Sequence, residues 1–526
     1  MEPPRLLRRS WPLLAALALL AVGLTAVIWA CTARTGGTFV YPLDEPYIHM
    51  DMARNLAGSG TWGVTREGFS ASSSSPGWTA LLAGLYALFG PGELWPLVLN
   101  ALLAIALCAA FHFHLERVGI RGPAAALLQA AAIGLTPVLV LVLCGQEHTL
   151  HALLSALFVC SAAGWLAEPG SARRLALLAA LGAGLVLARY EGMFGVFAVV
   201  VLMLLRRRPL GALLLGAAAA APVVAFGLWS LANGWSFFPN SILLKGNLPE
   251  LGSWGGFFRF ATTWAVQIAQ NPHVLCLMLA AGFVLVLRAR DLLRWERQSL
   301  ELALFLGCAL LHMQFSRAGW LFRYEAYLVL LGIWILPGSV RTVVRTGAGR
   351  GLRLALVALV AAAAIFLTVR GVASHPLLPA GSQGVYELQI QLGRFLDSRY
   401  SGQAVALTDI GACNYLADLR CLDLYGLSDR DVGRLRLAGR YDSRAMAELG
   451  RKRNVRIAAV FDWFPLETYG GTPPGWSKVA SWKASRGSID FYAVAREERR
   501  LLAEHLRAHA GELPPGVTQR LFPGPG

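Results

Sequence analysis

Apolar residues along this chain arrive in blocks close to the length of a bilayer-crossing helix, set apart by short polar clusters. The blocks run over 11–31, 94–113, 123–143, 148–167, 175–189, 192–205, 210–231, 270–288, 299–315, 321–337 and 351–369, which predicts eleven crossings. Two shorter apolar stretches fit no crossing. Pro46 to Leu56 carries Tyr47, Ile48, Ala53 and Leu56 on one helical face and Asp51, Arg54 and Asn55 on the other, with Pro46 suited to a first turn. Trp78 to Gly90 is short and is followed by Pro-Gly-Glu. Both are expected to lie along the membrane in the first outer loop, joined at Ser70 to Gly77 by a structured turn or N-cap or, equally on composition, a flexible linker. After about residue 371 the apolar runs shorten and charges intermix. Ala404–Thr408, Arg456–Phe461 and Ile489–Ala495 read as strands, so residues 371–526 are expected to form a small exterior α/β domain after a transmembrane module at 1–370. Its Pro-rich end, from Pro514 to the Pro-Gly-Pro-Gly terminus, reads as disordered.

Composition agrees with a polytopic α-helical membrane protein: 56% of the residues are hydrophobic and 15% charged, with a mean hydropathy of +0.52 over 526 residues. The net charge of +16 does not signal nucleic acid, because the arginines sit in short clusters between apolar blocks, where they meet anionic headgroups and set orientation. Arg5, Arg8 and Arg9 precede the first block, which reads as a retained anchor with a cytoplasmic amino end. Alternate loops then hold Arg117 and Arg121, Arg173 and Arg174, Arg206 to Arg208, Arg288 to Arg297, and Arg341 to Arg353. The other loops, and everything after about 371, are expected outside a bacterial cytoplasmic (inner) membrane.

Candidate chemistry collects in those outer loops. Tyr41-Pro-Leu-Asp-Glu-Pro-Tyr-Ile-His-Met-Asp51 places Asp44, Glu45 and Asp51 just beyond the first block of an acid-poor chain. Carboxylates at a membrane boundary lose hydration and are retained where a partner or substrate compensates. Glu147 and His148, Arg189 and Glu191, Asn240 and Lys245, and Arg323, Tyr324 and Glu325 fall on the same side. Each cluster alone reads equally well as an architectural ion pair, Arg189 with Glu191 or Arg323 with Glu325. Together they outline a cavity with acids to manage protons and cations to hold an anion.

The motifs Ala53-Arg-Asn-Leu-Ala57, Ser74-Ser-Pro-Gly-Trp78, Cys144-Gly-Gln-Glu-His148, Leu187-Ala-Arg-Tyr-Glu-Gly192, Pro239-Asn240 and Arg323-Tyr-Glu325, with the acidic pair, resemble landmarks of the bacterial GT-C superfamily of integral-membrane glycosyltransferases. The resemblance covers the whole chain and is nearest the terminal arabinofuranosyltransferase-like branch. It implies a polyprenyl-phosphate sugar donor, a glycan or lipid acceptor, an active site at the outer face, and Asp44 as the base with Glu45 beside it. Arabinofuranose, mannose, galactose and aminoarabinose all stand as sugars of this class. Glu45 replaces a frequent second Asp, and Gln146-Glu147-His148 replaces a frequent Met-Glu-Thr. His148 is read either as a donor-phosphate partner or as a cap for the helix it begins.

Such a reaction needs a carboxylate to take the acceptor hydroxyl's proton and cations to meet the departing polyprenyl phosphate; Lys245, Arg189 and Arg323 are the candidates, in that order. Asp44 and Glu45 are also hard oxygen ligands of the kind that suits Mg²⁺, Mn²⁺ or Ca²⁺. Cys413 and Cys421 are close enough in sequence to pair across a turn in an oxidising compartment. A transporter or flippase of a lipid-linked saccharide is the rival reading, which the long Trp-containing outer loops and lack of paired inverted repeats disfavour.

Overall fold

The computed structural model describes residues 5–246, 253–345 and 349–523. The side chains of Arg5, Arg8 and Arg9 and the terminal 524–526 lie outside the described residues. The helices are α1 (Arg5–Thr32), α2 (Glu45–Ser59), α3 (Pro76–Phe89), α4 (Trp95–Arg117), α5 (Gly122–Leu135), α6 (Val138–Leu143), α7 (His148–Ala167), α8 (Ala172–Ala188), α9 (Gly192–Leu205) and α10 (Pro209–Ala232). They continue as α11 (Asn240–Lys245), α12 (Trp254–Gln270), α13 (Pro272–Leu287), α14 (Ala289–Leu293), α15 (Arg297–Phe315), α16 (Ala326–Arg345), α17 (Arg350–Ser374), α18 (Leu377–Val385) and α19 (Gln391–Tyr400).

Every predicted crossing falls on a helix, but their lengths are uneven. Among the described residues six helices are long and apolar enough to cross unaided, a seventh forms if α12 and α13, bent by 97°, count as one, and α3, α5 and α9 are shorter apolar helices. Two expectations change. The block 123–143 is broken into α5 and α6, because Pro137 has no N–H to continue the ladder. The tenth crossing starts at Ala326 instead of 321, so Arg323 lies in a loop and not inside a span. The loops rich in arginine meet one another. Arg341 Nη1 donates to Val118 O at 3.0 Å, Arg206 Nη2 donates to Ala167 O at 3.1 Å, and Arg206 stacks 4.8 Å from the Trp295 ring.

The expected boundary at 371 lies inside α17, and the helical run goes on from Arg350 to Tyr400 with only a turn at His375 and Pro376 and one π turn at Tyr386–Ile390. Pro379 sits in the first turn of α18, where its missing N–H is tolerated. The run ends in the sheet domain, whose strands are β1 (Ala404–Leu407), β2 (Arg420–Asp423), β3 (Ile457–Phe461), β4 (Ser477–Ala484), β5 (Gly487–Ala493) and β6 (Thr518–Leu521). Their order is β2-β1-β3-β5-β4-β6, with β1, β2 and β3 parallel and the rest antiparallel. The tail is therefore ordered as far as β6, which pairs with β4 through Ala480↔Leu521 to Lys483↔Thr518.

Helix α20 (Gly411–Leu416) follows β1, while α21 (Arg430–Leu437) and α22 (Ser443–Lys452) link β2 to β3, and α23 (Glu498–His509) follows β5. The apolar cluster under the sheet, with Phe395, Val405, Ile457 and Phe491, runs on into Ile48 and Met52 of α2, Trp62 and Phe226. Sheet domain and first loop thus share one core. The Cys413–Cys421 bridge is not formed. Both thiols are free: Cys413 is buried, its Sγ 3.8 Å from Gln389 O, while Cys421 lies in edge strand β2.

Candidate active site

The chain reaches Asp44 at the N-cap position of α2, but the carboxylate does not cap its own helix. It accepts the first two N–H groups of α20 instead, Gly411 N to Oδ2 at 2.7 Å and Ala412 N to Oδ1 at 2.8 Å. Those are orphan donors of a helix start, so the carboxylate joins the membrane unit to the sheet domain. Only glycine fits at 411, since a Cβ there would lie 2.2 Å from Asp44 O and 2.7 Å from Oδ2. Burial pushes the Asp44 carboxyl up to about 6; the two N–H bonds and Lys245 oppose that rise, and Glu45 adds to it. A group near 6 is ionised at neutral pH and still basic enough to take a proton.

Glu45 begins α2 and points to the loop before α16. Its Oε1 accepts from Arg323 Nη2 at 2.9 Å and from Trp320 Nε1 at 3.2 Å. Burial favours the neutral acid, but Arg323 and Lys245 outweigh it and hold the carboxyl below its ordinary value. Arg323 itself is 2% exposed, and its Nε and Nη1 have no hydrogen-bond partner among the described residues. A buried, unpaired guanidinium edge is costly unless a ligand satisfies it. The loop that holds it is strained: Gly319, Trp320, Leu321 and Phe322 take φ of +91°, +47°, +56° and +58°. Glu325 Oε2 accepts Gly319 N at 2.7 Å, and Arg370 donates to Phe322 O, fixing that turn from both sides.

Several expected cations and acids take other roles. Arg189 is fully committed: Nη1 donates to Glu147 Oε1 at 2.5 Å and meets His148 Nε2 at 2.9 Å, while Nη2 and Nε donate to Glu191 at 2.6 and 3.2 Å. It holds the helix ends of α7 to α9 together and offers no edge to a phosphate. His148 accordingly serves Arg189, with its ring stacked 6.0 Å from Tyr324. Tyr324 lies beneath both guanidinium groups, 5.5 Å from Arg189 and 5.2 Å from Arg323. Glu325 pairs with Arg370 at 2.7 Å, with His273 at 3.5 Å, and not with Arg323. Asp51 pairs with Arg54, which donates to Tyr415 O at 2.7 Å, a second tie to α20. Asn240 Nδ2 donates to Gly426 O at 2.7 Å, and this anchor places α11 so that Lys245 lies 5.9 Å from the Tyr425 ring. Among the described residues the Lys245 ammonium forms no ion pair, yet its charge acts on both Asp44 and Glu45.

Sequence reasoning passed over Arg370, His273, Trp320 and Gly411. Arg370 alone carried a signal, an arginine at the very end of an apolar block. As a metal cradle the acidic pair is poor. Three of its four oxygens accept protein N–H groups, and the described residues contain no group of three or more His, Cys, Asp or Glu placed for a metal ion.

Comparison with known proteins places this geometry in a familiar fold. The crystal structure of ArnT from Cupriavidus metallidurans bound to undecaprenyl phosphate aligns with a TM-score of 0.52 at 14% identity, over 91% of this chain and 98% of that one. Its apo state gives 0.50 at 15%, over 92% and 99%. The oligosaccharyltransferase of Archaeoglobus fulgidus, in complex with Zn and sulfate, gives 0.47 at 13%, over 95% and 74%. A family model described as a domain of unknown function (DUF8728) matches residues 382–500. No curated protein matches the chain in sequence. The chain has a GT-C-type fold, shared with ArnT.

Proposed function

We propose that this chain transfers a sugar from a polyprenyl-phosphate donor to an acceptor hydroxyl, with inversion at the anomeric carbon. The observation that carries the reading is the buried Arg323, whose Nε and Nη1, unpartnered among the described residues, lie beside Glu45 on a fold that in ArnT holds undecaprenyl phosphate. The acceptor oxygen attacks the anomeric carbon while Asp44 takes its proton, the anomeric C–O bond to phosphate breaks, and the polyprenyl phosphate leaves as an anion. Arg323 and Lys245 meet the departing charge, so no leaving-group acid is required. Purified protein given undecaprenyl-phosphate sugars and an acceptor should release undecaprenyl phosphate with a new glycosidic bond. Lipid movement between leaflets without bond formation would overturn the enzyme reading in favour of a flippase.

The proposed setting is a bacterial cytoplasmic membrane, with site and sheet domain at its outer face. The mutual contacts of the arginine loops support it, since they gather at one end of the bundle while the loops carrying Asp44, Asn240 and Lys245 meet the sheet domain. Cysteines introduced at the exposed positions Glu67 and Ser401 should react with an impermeant thiol reagent in intact cells, and one at Ser171 only after permeabilisation. Labelling at Ser171 alone would reverse the orientation.

A further inference from the structure

The three parallel strands β1, β2 and β3 end at one edge of the sheet, and the loops that leave them all turn toward the membrane unit. The loop after β1 carries Asp409 and the two N–H groups that hold Asp44. The loop after β2 carries Tyr425 and Gly426, whose carbonyl anchors Asn240 and so places Lys245. The loop after β3 carries Trp463, 46% exposed, with its ring 5.7 Å from Tyr425 at 61°. Gln389 Nε2 donates to Asp409 Oδ2 at 2.8 Å, and the Trp463 side chain lies near the same carboxyl. None of these side chains is needed by the chemistry assigned to Asp44, Arg323 and Lys245. Ligands of open α/β sheets gather at the carboxyl ends of parallel strands, and here that edge sits directly over the base.

We infer that this edge is the acceptor subsite, and that it takes a saccharide ring: Trp463 and Tyr425 supply the stacking faces, and Asp409 with Gln389 binds ring hydroxyls so that one of them lies at Asp44. The inference rests on the reading of Asp44 as the base and adds the class of acceptor. A sugar ring has apolar C–H faces and a polar rim, which matches an exposed indole and a half-buried phenol flanked by a carboxyl group. Trp463 is not spent on the core, since nearly half its surface is open. Burial, and after it the charge of Asp44, holds the Asp409 carboxyl well above its ordinary value, so it can both donate to and accept from a hydroxyl. The donor enters from the bilayer beside Arg323, which leaves the sheet edge for the acceptor.

The test uses the full chain in lipid nanodiscs. Saturation-transfer NMR is run with methyl glycosides and disaccharides of arabinofuranose, mannose and galactose, and with sorbitol, which has the hydroxyls but no ring face. Undecaprenyl phosphate binding is measured alongside. At least one saccharide should bind in preference to sorbitol. Its affinity should fall tenfold or more in Trp463→Ala and in Asp409→Asn and stay within about threefold in Trp463→Phe, with undecaprenyl phosphate binding unchanged in all three. The inference is overturned if no saccharide binds better than sorbitol, or if Trp463→Ala binds the saccharide as well as the unaltered chain. Failure to bind undecaprenyl phosphate would instead count against the proposed reaction and leave the saccharide result standing on its own.

Discussion

Asp44→Asn should lower turnover by a factor of roughly 10² to 10⁴ while leaving undecaprenyl phosphate binding intact, the range expected when a positioned base is lost. Asparagine keeps the size of the side chain and one carbonyl acceptor, so one of the Gly411 and Ala412 N–H bonds survives and the sheet domain stays docked. What disappears is the group that can take a proton. The same residue sets a pH dependence. Its carboxyl is pushed up to about 6, and a base acts only when ionised, so kcat/KM should be level above that pH and decline as pH falls through it. Wild-type turnover in the Asn variant, or a rate rising below pH 6, would remove Asp44 from the chemistry and leave it as a cross-domain cap.

That cap illustrates what a linear sequence does not display. The apolar blocks were legible as helices because a bilayer demands apolar runs, although among the described residues only six or seven are long enough to cross; α2 was legible because its polar residues recur on one helical side, and α3 because its apolar run is too short to cross. Strands β1, β3 and β5 were legible as short apolar runs. Strand β2 (Arg-Cys-Leu-Asp) is a short, partly polar edge, and β4 carries serines and lysines among its apolar positions, so neither stands out before its neighbours are known. Partner choice was the least legible feature. Arg323 read equally well as a phosphate ligand or as the partner of Glu325 two residues away, yet it pairs with Glu45 across 278 positions, and Glu325 takes Arg370 from α17. Local spacing offers a pair of charges, but helix packing decides which ones meet. Asp409 lies just past β1, far from Asp44 in sequence, and only the docking of the sheet domain brings the two together.

The pairing of Arg323 yields the second large effect. Arg323→Ala should weaken undecaprenyl phosphate binding by about ten- to a hundredfold, because it removes two guanidinium nitrogens, Nε and Nη1, that have no partner among the described residues. Arg323→Lys should recover little of this, since an ammonium keeps the charge but lacks the planar, bidentate edge. Losing the arginine also strands Glu45, a separate cost of order 3–5 kcal/mol if that pair behaves as a buried one. Pairing the change with Glu45→Gln separates the two: the double variant should regain thermal stability and still bind the lipid phosphate poorly. Lys245→Ala should show a smaller loss, because its ammonium sits on the mobile end of a flexible stem and acts as a point charge. Arg189→Ala should instead lower stability with little change in lipid affinity, as every edge of that guanidinium is held by Glu147, His148 and Glu191. A chelator should alter none of these values, given that three of the four oxygens of Asp44 and Glu45 already accept N–H groups. Normal lipid-phosphate affinity in both Arg323→Ala and Lys245→Ala would place the phosphate elsewhere, and the departing anion would then need another partner.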